Sequence, residues 1–163
     1  MAQAVERADN GATPPLRLSR VFRARRETVF RAWSSAEHVS RWFAPEGCTV
    51  EEAVVDMRVG GKFELSMRAP GMVHRLRGSF VEIVPNTRLV LDMRIEDDDG
   101  APLFRAYTEL DFADAPGGTR LDVTQTYTLI DLSKAWMLEG APQGWSSTLD
   151  NLEREAARME AGA

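Results

Sequence analysis

The chain carries a single cysteine, Cys48, and only two histidines, His38 and His74. One thiol cannot close an internal disulfide, and so small a donor set leaves no room for a zinc cluster. No apolar run approaches the roughly 18 residues that a membrane span requires. The opening segment, Met1 to Pro15, lacks a basic region followed by an apolar stretch, so it does not read as a signal peptide. Positive charge is scarce as well: 20 Lys and Arg stand against 25 Asp and Glu, a net charge of −5. A broad nucleic-acid surface needs a basic face to neutralise phosphates, and this balance argues against one. Catalytic signatures are equally thin. No Gly-x-Ser-x-Gly elbow, His-Glu-x-x-His pair or phosphate-binding glycine loop occurs. Neither a cofactor nor a metal is expected, membrane insertion is not expected, and the default setting is a reducing cytoplasm.

What is present is the composition of an ordinary globular domain, with 163 residues of which 44% are hydrophobic and 28% charged. Met1 to Pro15 combines Asp9-Asn10-Gly11 with Pro14-Pro15 and shows no periodicity, which predicts a disordered lead-in over 1–15. A single domain is expected over 16–160. Leu16 to Phe22 alternates apolar and polar residues, the mark of a half-buried strand. Two short helices are expected next. Val29, Phe30 and Trp33 fall three to four apart, as do Val39, Trp42 and Phe43, with Ser35 as the N-cap of the second helix. From Cys48 to Thr128 strand signals repeat with no helical interval, punctuated by Gly60-Gly61, Pro70-Gly71, Pro85-Asn86, the acidic tip Glu96 to Gly100, and Pro116-Gly117-Gly118. Strand and turn at this spacing predict an antiparallel meander, because parallel strands need long crossovers. Trp145, Leu149, Leu152, Ala156 and Met159 recur at helical steps, so a long helix is expected over Ala141 to Glu160. Pro142 suits its first turn, which leaves Leu132 to Glu139 as a separate short helix or helical loop.

One antiparallel sheet and one long helix can bury both apolar faces only if the sheet bends around the helix. Gly61 and Gly78 sit inside strand patterns where bends or bulges are expected. A strongly curved sheet and a straight helix cannot touch along their whole length. The gap between them is a concave, mostly apolar space, the ordinary form of a ligand site.

The order of these words resembles the Bet v 1-like helix-grip superfamily, also called START-like or SRPBCC. Within it, the chain is similar to the domain named after the C-terminal half of the Hsp90 ATPase activator. The words that carry the likeness are Val29 to Trp33, Glu37 to Phe43, Asp56 to Gly61, Gly78 to Ile83, Arg88-Leu89-Val90, Gly118 to Leu121, and Gly144-Trp145 with Leu149 and Leu152. The resemblance implies an α+β helix-grip fold: a curved antiparallel sheet of six to seven strands wrapped around a long C-terminal helix, with two short helices between the first two strands. For activity it implies a range that includes carriers of lipids, polyketides and other hydrophobic molecules, a few cyclases and hydrolases, and chaperone-associated proteins.

Strand phase selects the candidate site residues. Phe63 and Met67 should share a face with Met93, and His74 should lie in phase with Phe80. Plain core is the competing reading for each, although soft methionine side chains would adapt to varied ligands. Gln125 and Tyr127 continue the phase of Leu121 and Val123 and would turn polar groups inward. A buried unpaired amide is costly, which makes Gln125 informative. Trp145, Leu149 and Leu152 would form the helix wall, and Trp136 is a candidate lid residue. Trp33 and Trp42 are expected to plug one end of the sheet. His74 is the sole acid–base candidate, since its near-neutral pKa suits proton transfer if it faces the gap. Glu51, Glu52, Asp56 and the tip Glu96 to Asp99 read as solvated. Arg17, Arg20, Arg23, Arg25, Arg26 and Arg31 form a local basic patch near the first strand.

The leading expectation is a non-enzymatic protein that encloses a small hydrophobic or amphipathic molecule between sheet and helix. The second is a cyclase- or hydrolase-type enzyme with His74 as acid–base and Gln125 or Tyr127 polarising a carbonyl. The third is a chaperone-associated or stress-response regulatory protein. A homodimer is compatible with all three.

Overall fold

Strand β1 (Leu16–Phe22) leads into two short helices, α1 (Arg26–Arg31) and α2 (Ala36–Trp42). Six further strands follow: β2 (Thr49–Val55), β3 (Lys62–Ala69), β4 (Met72–Val84), β5 (Arg88–Glu96), β6 (Pro102–Ala115) and β7 (Gly118–Leu129). A 3-10 helix over Leu132–Leu138 then precedes the long helix α3 (Ala141–Ala161). These elements come from a computed structural model that describes residues 14–162. The expected lead-in over 1–15 therefore lies almost wholly outside the described residues.

Local chemistry accounts for the boundaries. The side chain of Ser35 accepts a hydrogen bond from the His38 backbone N–H at 3.3 Å, capping α2 as its position foretells. Two hairpins, β3–β4 and β6–β7, close through the same dipeptide, Pro70-Gly71 and Pro116-Gly117. Proline presets φ, and the glycine supplies the positive φ that such a tight turn demands, +78° at Gly71 and +81° at Gly117. Pro142 occupies the first turn of α3, where its missing N–H costs nothing.

The seven strands form one antiparallel sheet in the order β1-β7-β6-β5-β4-β3-β2. The meander from β2 to β7 runs in sequence, and β1 returns to pair with β7, Leu16 opposite Gln125 and Phe22 opposite Thr119. Register shifts fall at Val50/Glu52, Phe80/Glu82 and Ile95/Glu96, where an extra residue bends the strand. Gly61 and Gly78 are not the bulge positions expected of them. Gly61 lies in the turn before β3, and Gly78 is paired in regular register between Phe63 and Met93. A Cβ at Gly78 would stand 2.9 Å from the Asp92 carbonyl oxygen and 2.9 Å from Met93 Cγ, so glycine here serves close approach.

Helix α3 packs against α1, α2 and β1 and buries Trp145, Leu149, Leu152, Ala156 and Met159. Each fully buried aliphatic side chain contributes about 1.5–3 kcal/mol relative to exposure. Trp33 and Trp42 plug one end of the sheet, with ring centroids 4.5 Å apart in an edge-to-face pair, and Trp42 Nε1 donates to the Ala32 carbonyl at 2.9 Å. Phe43 links this plug to Phe63 (5.4 Å) and to Trp145 (6.4 Å).

Two carboxylates are buried, and one of them, Glu96, departs from the solvated tip expected of it. Glu96 belongs to β5, not to the loop tip, and receives Arg77 at 2.9 Å and Arg94 at 2.6 Å. Glu155, on α3, meets Arg158, His38 Nδ1 at 3.2 Å and Arg41 at 3.5 Å. The basic patch near β1 is also less basic than its sequence suggests. Arg20 pairs with Asp150, Arg25 with Glu160 and Arg26 with Asp114.

Candidate functional site

Between the sheet and the N-terminal half of α3 lies a cavity of about 350 Å³. Its sheet wall is built by alternate side chains of four strands: Met67 on β3, His74 and Leu76 on β4, Met93 and Ile95 on β5, Phe104 and Ala106 on β6. Gln125 and Tyr127 of β7 complete that wall, and Trp145 and Thr148 of α3 face it. Phe43, Pro45 and Cys48, from the stretch after α2, line one end, while Met137 and Leu138 of the 3-10 helix line the other side.

Six candidate residues thus meet at one space: Met67, His74, Met93, Gln125, Tyr127 and Trp145. Five do not reach it. Phe63, Phe80, Leu149 and Leu152 are sealed in the core, because the plug of aromatic rings and the packed face of α3 fill the space in front of them. Trp136 is not part of the cavity lining and is 57% exposed. In the 3-10 helix its neighbours Met137 and Leu138 turn inward in its place.

The polar centre of the wall is a four-member network. Gln125 Oε1 accepts from Trp145 Nε1 at 2.7 Å and from the Tyr127 hydroxyl, and Gln125 Nε2 donates to Thr108 Oγ1 at 2.7 Å. Gln125 is only 4% exposed, so the network answers the cost of burying its amide. Burial pushes the Tyr127 phenol well above its ordinary range, outweighing the hydrogen bond from Trp145. Burial likewise raises the Cys48 thiol. At His74, burial lowers the imidazole pKa, and the carboxylates of Asp98 and Asp97 offset this only in part. His74 Nε2 is buried without a hydrogen-bond partner among the described residues.

Thr108, Phe104 and Ala106 escaped the sequence reading, although a signal for them exists. The two-residue turn Pro116-Gly117 sets the β6–β7 register, which places Thr108 opposite Gln125 and Ala106 opposite Tyr127. Once Gln125 and Tyr127 face inward, their cross-strand partners must as well. Among the described residues no group of acidic, histidine or cysteine side chains could hold a metal ion, and no helix is long and apolar enough to cross a membrane.

A curved antiparallel sheet wrapped around a long C-terminal helix, with two short helices after the first strand, defines a helix-grip protein of the Bet v 1-like class. The chain belongs to the family described as activator of Hsp90 ATPase homolog 1-like protein, whose model matches residues 23–157. Among solved structures, a protein from Rhizobium leguminosarum is 30% identical, with a TM-score of 0.76 over 89% of this chain and 95% of that one. A protein from Chromobacterium violaceum is 27% identical, with a TM-score of 0.74 over 86% of this chain and 94% of that one. The AHSA1 protein of Silicibacter pomeroyi shares the fold at 24% identity, with a TM-score of 0.72 over 90% and 99% of the two chains. No curated protein matches the chain.

Proposed function

We propose that this protein binds a small hydrophobic or amphipathic molecule in the cavity between the sheet and α3. The observation that carries the reading is a space of about 350 Å³ walled by aliphatic, aromatic and thioether side chains around one polar network. Affinity would come from apolar area buried, at about 25 cal/mol per Å², and orientation from the few polar groups. Met67 and Met93 give that wall adaptable surface. A catalytic role has less support, because His74 Nε2 meets no orienting partner among the described residues. The setting we infer is cytoplasmic.

Native mass spectrometry of the purified chain, repeated under denaturing conditions, tests the reading. A bound mass that falls away on denaturation is the expected result. A clean apo mass, together with no thermal stabilisation across a library of lipids and aromatics, would overturn it. The family description suggests a second reading, association with an Hsp90-type chaperone, which predicts recovery of that chaperone in a pull-down.

A further inference from the structure

Charged residues make up 28% of the chain, yet none of the twenty residues lining the cavity is Asp, Glu, Lys or Arg. Where this molecule does bury a charge, it surrounds it. Glu96 receives two arginines, and Glu155 receives two arginines and a histidine. Nothing comparable waits at the cavity wall for a charge on a ligand. The lining groups able to titrate are Cys48, His74 and Tyr127, and burial moves each toward its uncharged form. An ion entering such a space would lose hydration and meet no opposite charge, a heavy cost for either sign.

The polar network adds a direction. Trp145 Nε1 can only donate, so the Gln125 atom it meets at 2.7 Å is the amide oxygen, which orients the amide. Both lone pairs of that oxygen are then taken, by Trp145 and by the Tyr127 hydroxyl. The amide nitrogen gives one hydrogen to Thr108. Its second hydrogen has no acceptor among the described residues, in a side chain 96% buried at the cavity wall (4% exposed). A buried N–H of this kind is completed by an acceptor brought from outside.

Resting on the ligand-binding reading above, we propose that the cavity admits uncharged molecules, and that its preferred class is an apolar molecule with one carbonyl oxygen. That oxygen accepts the second Gln125 N–H, while the chain or ring of the ligand lies against Met67, Met93 and Phe104. Carboxylates and amines of the same size are refused.

The test uses the intact chain and an uncharged reporter, N-phenylnaphthylamine, displaced by four ligands of matched length at neutral pH: methyl decanoate, decane, decanoate and decylamine. The ester is expected to displace the reporter at concentrations about tenfold or more below those needed for either ion. Relative to decane its advantage is expected to be about threefold to tenfold, the range one net hydrogen bond supports. Gln125→Leu should erase the advantage over decane. The comparison in the unaltered protein stands even if that variant folds poorly. Decanoate or decylamine binding as tightly as the ester would overturn the proposal while leaving ligand binding intact, and equality of ester and decane would overturn its carbonyl part. Failure of the reporter and all four ligands to bind would overturn the ligand-binding reading itself, and this inference with it.

Discussion

Gln125 holds three side chains at once, so its replacement is felt at each of them. Gln125→Leu leaves the Trp145 N–H, the Tyr127 hydroxyl and Thr108 without their shared partner, and we expect a loss of about 1–3 kcal/mol in chemical denaturation. Glu155 carries a different kind of weight. Burial pushes its carboxyl up, but hydrogen bonds from Arg158 and His38 and the charges of Arg158 and Arg41 outweigh burial and hold it below the ordinary value of 4.5. The folded state therefore favours the ionised form, and the resulting stability is present above that value and lost as pH falls through the lowered one. Glu155→Gln should cost about 1–3 kcal/mol at neutral pH, a moderate figure because both arginines are partly solvated. The gap between wild type and variant should close in denaturation curves taken progressively below about pH 4.5. At this scale the sequence was partly legible. Strand phase placed Gln125 inward, but its partners lie on another strand and on α3, and no local pattern names them. Glu96 was misplaced because an acidic run reads as a turn, whereas Arg77 and Arg94 draw its first member into the sheet.

Elements were far easier to foresee, because period and punctuation are local properties. Alternation marked the first strand, turn punctuation the strands of the meander, the Pro-Gly pairs two hairpins, and the three-and-four spacing of Trp145 to Met159 the long helix. The sheet's curvature was foreseen, but the positions of its bulges were not. Gly78 looked like a bulge, yet its bare Cα admits the Asp92 carbonyl of the next strand. Gly78→Ala should therefore destabilise by about 1–3 kcal/mol through overpacking, measured by thermal or denaturant unfolding, although alanine suits a strand better than glycine in general. The 3-10 helix teaches the complementary lesson. Trp136 is the residue that hydrophobicity singles out, but three residues per turn carry it to the outside and turn Met137 and Leu138 toward the cavity. Trp136→Ala is expected to change stability by no more than about 0.5 kcal/mol, against about 2–5 kcal/mol for Leu152→Ala on α3. Equal losses from the two would show that the 3-10 helix packs differently from the arrangement described.

For the whole molecule, a ligand that enters the folded state alone must raise its stability by mass action. At about one hundred times its dissociation constant the gain is about 2.7 kcal/mol, which for a protein of this size shifts the melting temperature by about 5–10 °C. Methyl decanoate is expected to give such a shift and decanoate a much smaller one, read in the same thermal melt. The fold itself was legible because each local signal agreed with one architecture; the cargo was not, because a cavity is defined by what side chains leave empty. One further consequence lies in the pairing of β1 with β7. Hairpins from β2 to β7 can close one after another as neighbours in sequence, but Leu16 must wait for Gln125, 109 residues later, before its strand has a partner. Closing so long a loop is entropically slow, and the unpaired edge of β7 stays open to other chains until it happens. The last seam of the sheet to close thus runs along the outer edge of β7, so β1 supplies protection against aggregation and no residue of the binding wall.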